Sequence, residues 1–332
     1  MNIYLTIDYE LFLLKPPENI DYSLINPTIK LNDLLKKYKV NATYFVDAGY
    51  LFALNRQKKI FPKLNNDFNK IVNQIKLLES SGNEIGLHVH PHWEDCYYDG
   101  HKWKMNHSRF KLADFTKEEA TSILVKYYIL LQSLLFNKIH SYRAGGWCLE
   151  PFSNIRDALI DCEIFIDSSV FPGGFSNNST HKYDFRKYPS KEIWKFNIDP
   201  HLEDNNGIFT ELPFTSYKLS PFLYWKILTH KIFFKLIAKL GTSKTGHAVN
   251  PSLKEIINKL FFKSHHAVSV DSFKSAYLEE TYLKHKKMNS LHFNIIGHPK
   301  CFSNKTYLHI ESLLQAGINA GDSFQTISSI IN

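Results

Sequence analysis

Along this chain, short apolar runs alternate with longer stretches in which apolar residues recur every three or four positions. The runs are rich in β-branched and aromatic residues and read as strands: Ile3 to Asp8, Thr43 to Asp47, Glu84 to His90, His140 to Arg143, Glu163 to Ser168, Ile208 to Pro213 and His292 to His298. Between them the spacing turns helical, as in Ile29, Leu31, Leu34 and Leu35, or Ile71, Ile75 and Leu78. This predicts helices from Thr28 to Tyr38, Phe68 to Ser81, Lys117 to Phe136, Ser153 to Cys162 and Tyr307 to Ala316. Strands alternating with helices imply βαβ units and a mostly parallel sheet. With seven strand candidates and neither an internal repeat nor a low-complexity linker, the pattern predicts an α/β fold, a single-domain distorted (β/α)7 barrel over residues 1–332. An open doubly wound sheet is the other arrangement. No Gly-x-Gly-x-x-Gly run supports a dinucleotide site in it.

The C-terminal ends of the predicted strands are rich in polar residues. They carry Asp8 with Glu10, then Asp47, His88 to His92, Arg143, Asp167, Glu211 and His298. In an α/β barrel these ends converge on one face, where reactive groups collect. His88, His90 and His92 alternate along a strand that Pro91 should terminate, and a straight strand would put all three rings on one side. Imidazole ligates zinc and other first-row divalent ions, and two rings with one carboxylate leave positions open for water and substrate.

Composition narrows the classes. Apolar residues make up 44% of the chain and charged residues 22%, enough to fill a core. No apolar run approaches the ~18 residues of a membrane span. The N-terminus reads directly as a strand, without the basic region and cleavage site of a secretory signal. The four cysteines (Cys96, Cys148, Cys162 and Cys301) are widely spaced, which argues against a disulfide framework or thiolate metal site and suits a reducing cytoplasm. A net charge of +8 favours anionic partners, but no arginine-rich or nucleic-acid motif appears, so nucleic acid is not an expected partner. One stretch stands apart, a basic aromatic insertion at about 217–250. From Lys218 to Leu240, Phe222, Trp225, Phe233 and Phe234 mingle with Lys226, Lys231, Lys235 and Lys239, between a helix-starting Pro221 and a helix-stopping Gly241. Such a helix either lies on an anionic membrane surface or packs on the barrel or a second subunit. The expected location is the cytoplasm, with peripheral contact at the membrane's cytoplasmic face if the helix takes the first of these roles.

Several motifs, in order, carry a family resemblance. Glu84-Ile85-Gly86-Leu87-His88-Val89-His90-Pro91-His92 resembles the second motif of the polysaccharide deacetylase family, carbohydrate esterase family 4. Leu5-Thr6-Ile7-Asp8-Tyr9-Glu10 is similar to its first motif, Tyr142-Arg143-Ala144-Gly145-Gly146 to its third, Ile166-Asp167-Ser168-Ser169 to the start of its fourth, and Ile296-Gly297-His298-Pro299 to its fifth. Thr210-Glu211-Leu212-Pro213 resembles a Glu-hydrophobic-Pro strand common in the family. The Asp-x-Glu form of the first motif resembles the family's lipopolysaccharide-biosynthesis branch.

The resemblance implies a divalent metal, zinc before cobalt or nickel, held by His88 and His92. It further implies Asp8 as base, Arg143 orienting that base, and His298 as the acid that protonates the departing amine. Asp167 is a candidate to orient His298 or Arg143. Tyr9 departs from the family, which places its metal-binding aspartate there; a tyrosine with a pKa near ~10 is a poor substitute. Either Glu10 takes over as ligand, or Asp8 binds metal while Glu10 acts as base, or no metal is held and the site resembles metal-independent ureide hydrolases. His90 is an extra ring, either second-layer, substrate-facing or structural. Trp93 and Trp147 either wall the pocket or pack in the core. The function implied is removal of an N-acyl group, acetyl or formyl, from an amino sugar that is nucleotide- or lipid-linked, in surface polysaccharide or lipopolysaccharide synthesis. Rival readings are a ureide hydrolase, a glycoside hydrolase using Glu211 and Asp8, and a glycan-binding protein that lost catalysis at Tyr9.

Overall fold

The computed structural model describes residues 1–11, 19–178, 180–222, 225 and 260–331. All seven expected strands form, as β1 (Asn2–Tyr9), β2 (Thr43–Asp47), β3 (Glu84–Val89), β4 (Ser141–Ala144), β5 (Ile166–Asp167), β6 (Phe209–Glu211) and β7 (His292–Gly297). They run parallel in the order β6-β5-β4-β3-β2-β1-β7. Trp194–Phe196 adds an antiparallel edge beyond β6, and Ser323–Gln325 pairs with the start of β1. The fold is a single-domain α/β half-barrel, a distorted (β/α)7 arrangement. Between β6 and β7 the barrel is completed by irregular backbone instead of a strand ladder. There the Thr215 N–H donates to the Asn294 carbonyl at 3.0 Å and the Val270 N–H to that of Ile296 at 2.9 Å.

Strands buried on both faces explain why their sequences read as near-continuous apolar runs. Residues 3–9 of β1 and all of β2 are buried. Among the described residues, seven helices cover the outside: α1 (Asn26–Tyr38), α2 (Ala48–Gln57), α3 (Pro62–Ser80), α4 (Lys117–Gln132), α5 (Arg156–Asp161), α6 (Leu278–Lys287) and α7 (Asn304–Asn319). Helix α3 begins earlier than its apolar spacing suggested, because Pro62 fits the first turn. The unforeseen α2 starts at Asp47, whose carboxylate accepts from the Gly49 and Tyr50 N–H groups.

Parallel register sets the strand ends level. Asp47 pairs with His88, His88 with Arg143, Tyr142 with Asp167, and Asp167 with Glu211. Among the described residues no helix is long and apolar enough to cross a membrane. Most of the expected insertion at about 217–250 lies outside the described residues.

Candidate active site

β1 ends in a tight turn, where the Glu10 N–H donates to the Asp8 carbonyl at 3.0 Å. Asp8 and Glu10 both face the barrel mouth, while Tyr9 points the other way. Its hydroxyl donates to Gln74 of α3 at 2.7 Å, within the core. Strand alternation accounts for this. Tyr9 is thus a packing residue outside the site, and Glu10 brings the second carboxylate.

His88 and His90 share one face of β3. The His88 Nδ1–H donates to the Arg143 carbonyl at 2.9 Å, which leaves the Nε2 lone pair facing inward. His88 Nε2 lies 3.4 Å from Glu10 Oε2 and 3.1 Å from His90 Nε2, and His90 Nε2 lies 2.5 Å from the same carboxylate oxygen. The ligand atoms of Glu10, His88 and His90 lie within 4.8 Å of one another. Glu10 Oε2 is buried, yet these approaches lack hydrogen-bond geometry and leave it without a donor. Two imidazole nitrogens and a donorless carboxylate oxygen gathered this closely in a buried site fit a divalent cation. The residues present therefore suit the metal that the resemblance implies.

His92 stands elsewhere than expected. Pro91 opens a 3₁₀ turn (Pro91–Asp95) that ends the alternation, so the third ring leaves the face of the first two. It stacks on Phe110 (centroids 5.3 Å apart) and is fully buried, with no hydrogen bond to either ring nitrogen. Burial, with His90 and His107 nearby, pushes its pKa well below the usual value. The structure groups His90, not His92, with His88 and Glu10.

Arg143 is fully buried beneath the site. Its Nη1 donates to Asp8 Oδ1 at 2.6 Å, Nη2 to Thr6 and Ser168 hydroxyls, and Nε to the Ser168 carbonyl. Burial alone would raise the Asp8 pKa, but Arg143 and His88 hold it well below the carboxylate range. Burial likewise opposes the charge of Glu10, and Lys300 and His90 reverse that. The Lys300 ammonium donates to Glu10 Oε1 at 2.6 Å and to the Leu11 carbonyl at 2.8 Å. Lys300 directly follows the fifth motif and was not singled out by motif reading.

His298 Nε2 lies 3.5 Å from both Asp8 Oδ2 and Glu10 Oε1. Its Nδ1–H donates to Asp271 Oδ2 at 2.7 Å, and its backbone N–H donates to Asp271 Oδ1 at 2.7 Å. Burial disfavours the imidazolium, yet Asp271 and Asp8 raise its pKa to about 10. Asp271 therefore takes the orienting role for which Asp167 was the candidate. No polar pattern marks it in the sequence; it reaches His298 because residues 268–270 run beside β7.

Asp167 hydrogen-bonds neither His298 nor Arg143. Its Oδ1 accepts from the Ser169 hydroxyl at 2.6 Å, and that hydroxyl accepts from the Ala144 N–H. Glu211 Oε1 accepts from the Val170 N–H at 3.0 Å. The remaining oxygens, Asp167 Oδ2 and Glu211 Oε2, are buried with no donor between them. Burial and mutual repulsion raise the pKa of Glu211 well above normal, and burial raises that of Asp167. One shared proton satisfies the pair.

The Gly145-Gly146 turn is a requirement of close approach. A Cβ on Gly145 would collide with the Val89 carbonyl and lie 2.6 Å from His90 Nδ1. Gly146 has a φ of 61°, and a Cβ there would lie 2.9 Å from His181 Nε2. Trp93 donates to Asp47 at 2.9 Å and packs in the core with Tyr50 and Trp103, whereas Trp147 packs on Phe171 and Tyr183.

Comparison with solved structures places the fold. A polysaccharide deacetylase-type protein from Mycobacterium smegmatis superposes with a TM-score of 0.53 at 14% identity, covering 99% of this chain and 88% of that one. The PuuE allantoinase superposes with a TM-score of 0.51 at 10% identity, covering 99% and 88%. At such identities the likeness establishes a shared deacetylase and allantoinase barrel fold. No family model matches the chain, and no curated protein matches it either.

Proposed function

We propose that this protein is a divalent-metal hydrolase of non-peptide carbon–nitrogen bonds, which removes an acetyl or formyl group from an amino sugar. The observation that carries the reading is the convergence of Glu10, His88 and His90, with Glu10 Oε2 buried and lacking a donor. His88 and His90 supply imidazole nitrogens and Glu10 one carboxylate oxygen. A cation bound there supplies Lewis acidity, which lowers the pKa of water and polarises an acyl carbonyl.

The surrounding residues have complementary proton roles. Asp8 Oδ1 is tied to Arg143, so Oδ2 is the oxygen left to accept a proton from the attacking water. Arg143 fixes the orientation of that carboxylate and is itself anchored by acceptors on β1 and in the loop after β5. His298, kept protonated by Asp271, presents its Nε2–H to the same space and can protonate the departing amine. Base and acid thus face each other across 3.5 Å, on the side of the imidazole pair where β7 ends.

In this reading the substrate is nucleotide- or lipid-linked and serves surface polysaccharide or lipopolysaccharide synthesis. The ion is zinc, with cobalt or nickel as substitutes, and the protein works in the cytoplasm with membrane contact through residues 218–240. The test is metal analysis together with product analysis. The purified protein should hold one zinc, cobalt or nickel ion per chain, lost in His88→Ala, and should release acetate or formate from N-acylated amino sugars. A protein that takes up no divalent ion, or that releases reducing sugar instead, would sink the reading.

A further inference from the structure

Glu10 is divided between two sets of neighbours. Its Oε2 faces the imidazoles of β3, while its Oε1 faces two groups from the turn after β7. His298 Nε2 stands 3.5 Å from Oε1, and the Lys300 ammonium donates to it at 2.6 Å. The Lys300 side chain is 4% exposed and that of Glu10 is 5% exposed. A second donation from Lys300, to the Leu11 carbonyl at 2.8 Å, fixes the ammonium against the backbone beside Glu10. Pro299 opens the short turn Pro299–Cys301 that carries Lys300 back over the end of β1.

Such an arrangement is costly without a purpose. Burying a lysine takes a strongly hydrated ion out of water, and its charge opposes any dication bound nearby. A glutamate also has one more rotatable bond than an aspartate, so it loses more rotamer freedom when it is held in one geometry. We propose that Lys300 is a positioning residue that makes Glu10 a one-oxygen metal ligand, holding Oε1 so that only Oε2 reaches the ion. Glu10 and Lys300 then act as a unit, doing together what a shorter carboxylate would do alone. This inference rests on the metal-hydrolase reading above.

The experiment uses the full-length protein, stripped with chelator and reloaded with Co(II) or Zn(II). Lys300→Met removes both charge and donor; Lys300→Gln keeps an N–H donor without the charge. Competition against a chromophoric chelator gives the Zn(II) Kd. The loss expected for Lys300→Met is about 10- to 100-fold, the usual effect of removing a group that orients a ligand, and Lys300→Gln should recover part of it. The Co(II) d–d bands of Lys300→Met should weaken as Glu10 swings to two-oxygen binding and the coordination number rises. Circular dichroism and melting of each variant check that it folds; if Lys300→Met does not, Lys300→Gln alone decides through the Co(II) spectrum. Unchanged or tighter binding with an unchanged Co(II) spectrum would overturn the proposal and leave Lys300 as a mere counter-charge. Failure of the wild-type protein to bind metal would instead overturn the parent reading.

Discussion

Asp8 and Glu10 at the end of β1, and Asp167 and Glu211 on β5 and β6, are equally buried carboxyl pairs on one rim of one barrel. Their charge states differ. The first pair sits among Arg143, Lys300, His88 and His298, and both members are held below the usual carboxylate range. The second pair hydrogen-bonds to the Ser169 hydroxyl and the Val170 N–H and feels Arg143 only at a distance, and both members are pushed up. Burial acts the same way on all four. What separates them is the number of cations within hydrogen-bonding reach, so one region is a charged reaction centre and the other a proton-sharing brace. The brace has its own use, because Ser169 links Asp167 to the Ala144 N–H just ahead of the glycine turn that lets His90 in.

The comparison can be broken most forcefully at Arg143. Replacing it with methionine leaves Asp8 buried and uncompensated, and urea denaturation should show a loss of about 3–5 kcal/mol. Asp8 should then behave like the second pair, its pKa rising. Next in size is the histidine exchange. His90→Ala should abolish stoichiometric metal binding, whereas His92→Ala should retain it, as read by elemental analysis; the reverse result would return the ligand role to His92.

A smaller effect is expected at Asp271. In the metal-free protein His298 should titrate near a pKa of about 10 by NMR, and Asp271→Asn should bring it down toward the ordinary imidazole value of 6.5. The sign for stability follows from a raised pKa. The His298–Asp271 contribution is fully present below the unfolded-state value and is lost as pH rises through about 10.

Glu211→Gln should change least, by about 1 kcal/mol or less at neutral pH, because an amide N–H replaces the shared proton. The Glu211 pKa is raised on folding, so the wild-type pair loses stability as pH rises above the unfolded-state value. Asp8 and Glu10 have depressed values, so their contribution is lost as pH falls. Glu211→Gln should therefore gain on wild type as pH rises above the unfolded-state carboxylate value. A pH-independent difference would show that the pair shares no proton.

Much of the fold is legible in the amino-acid sequence. Strands buried on both faces must be apolar throughout, and covering helices must be apolar along one stripe; both periods stand out in a single chain. The polar residue ending each strand is equally visible. The partners of those residues are not, because a strand-end residue is sited by its own segment while its neighbours arrive from others. Asp271 reaches His298 along backbone with no strand periodicity, and Lys300 gains meaning only when it meets Glu10, 290 positions away in sequence.

The chain by itself therefore determined the seven parallel strands, five of the outer helices and the rim on which Asp8, Glu10, His88, His90, Arg143 and His298 gather, since local periodicity and parallel topology suffice for these. Tertiary structure alone decided that His90 replaces His92 beside Glu10 and which carboxyls keep their charge. Those outcomes depend on where Pro91 bends the backbone and on which cations stand within a few ångströms, and neither is written in the spacing of residues along one strand.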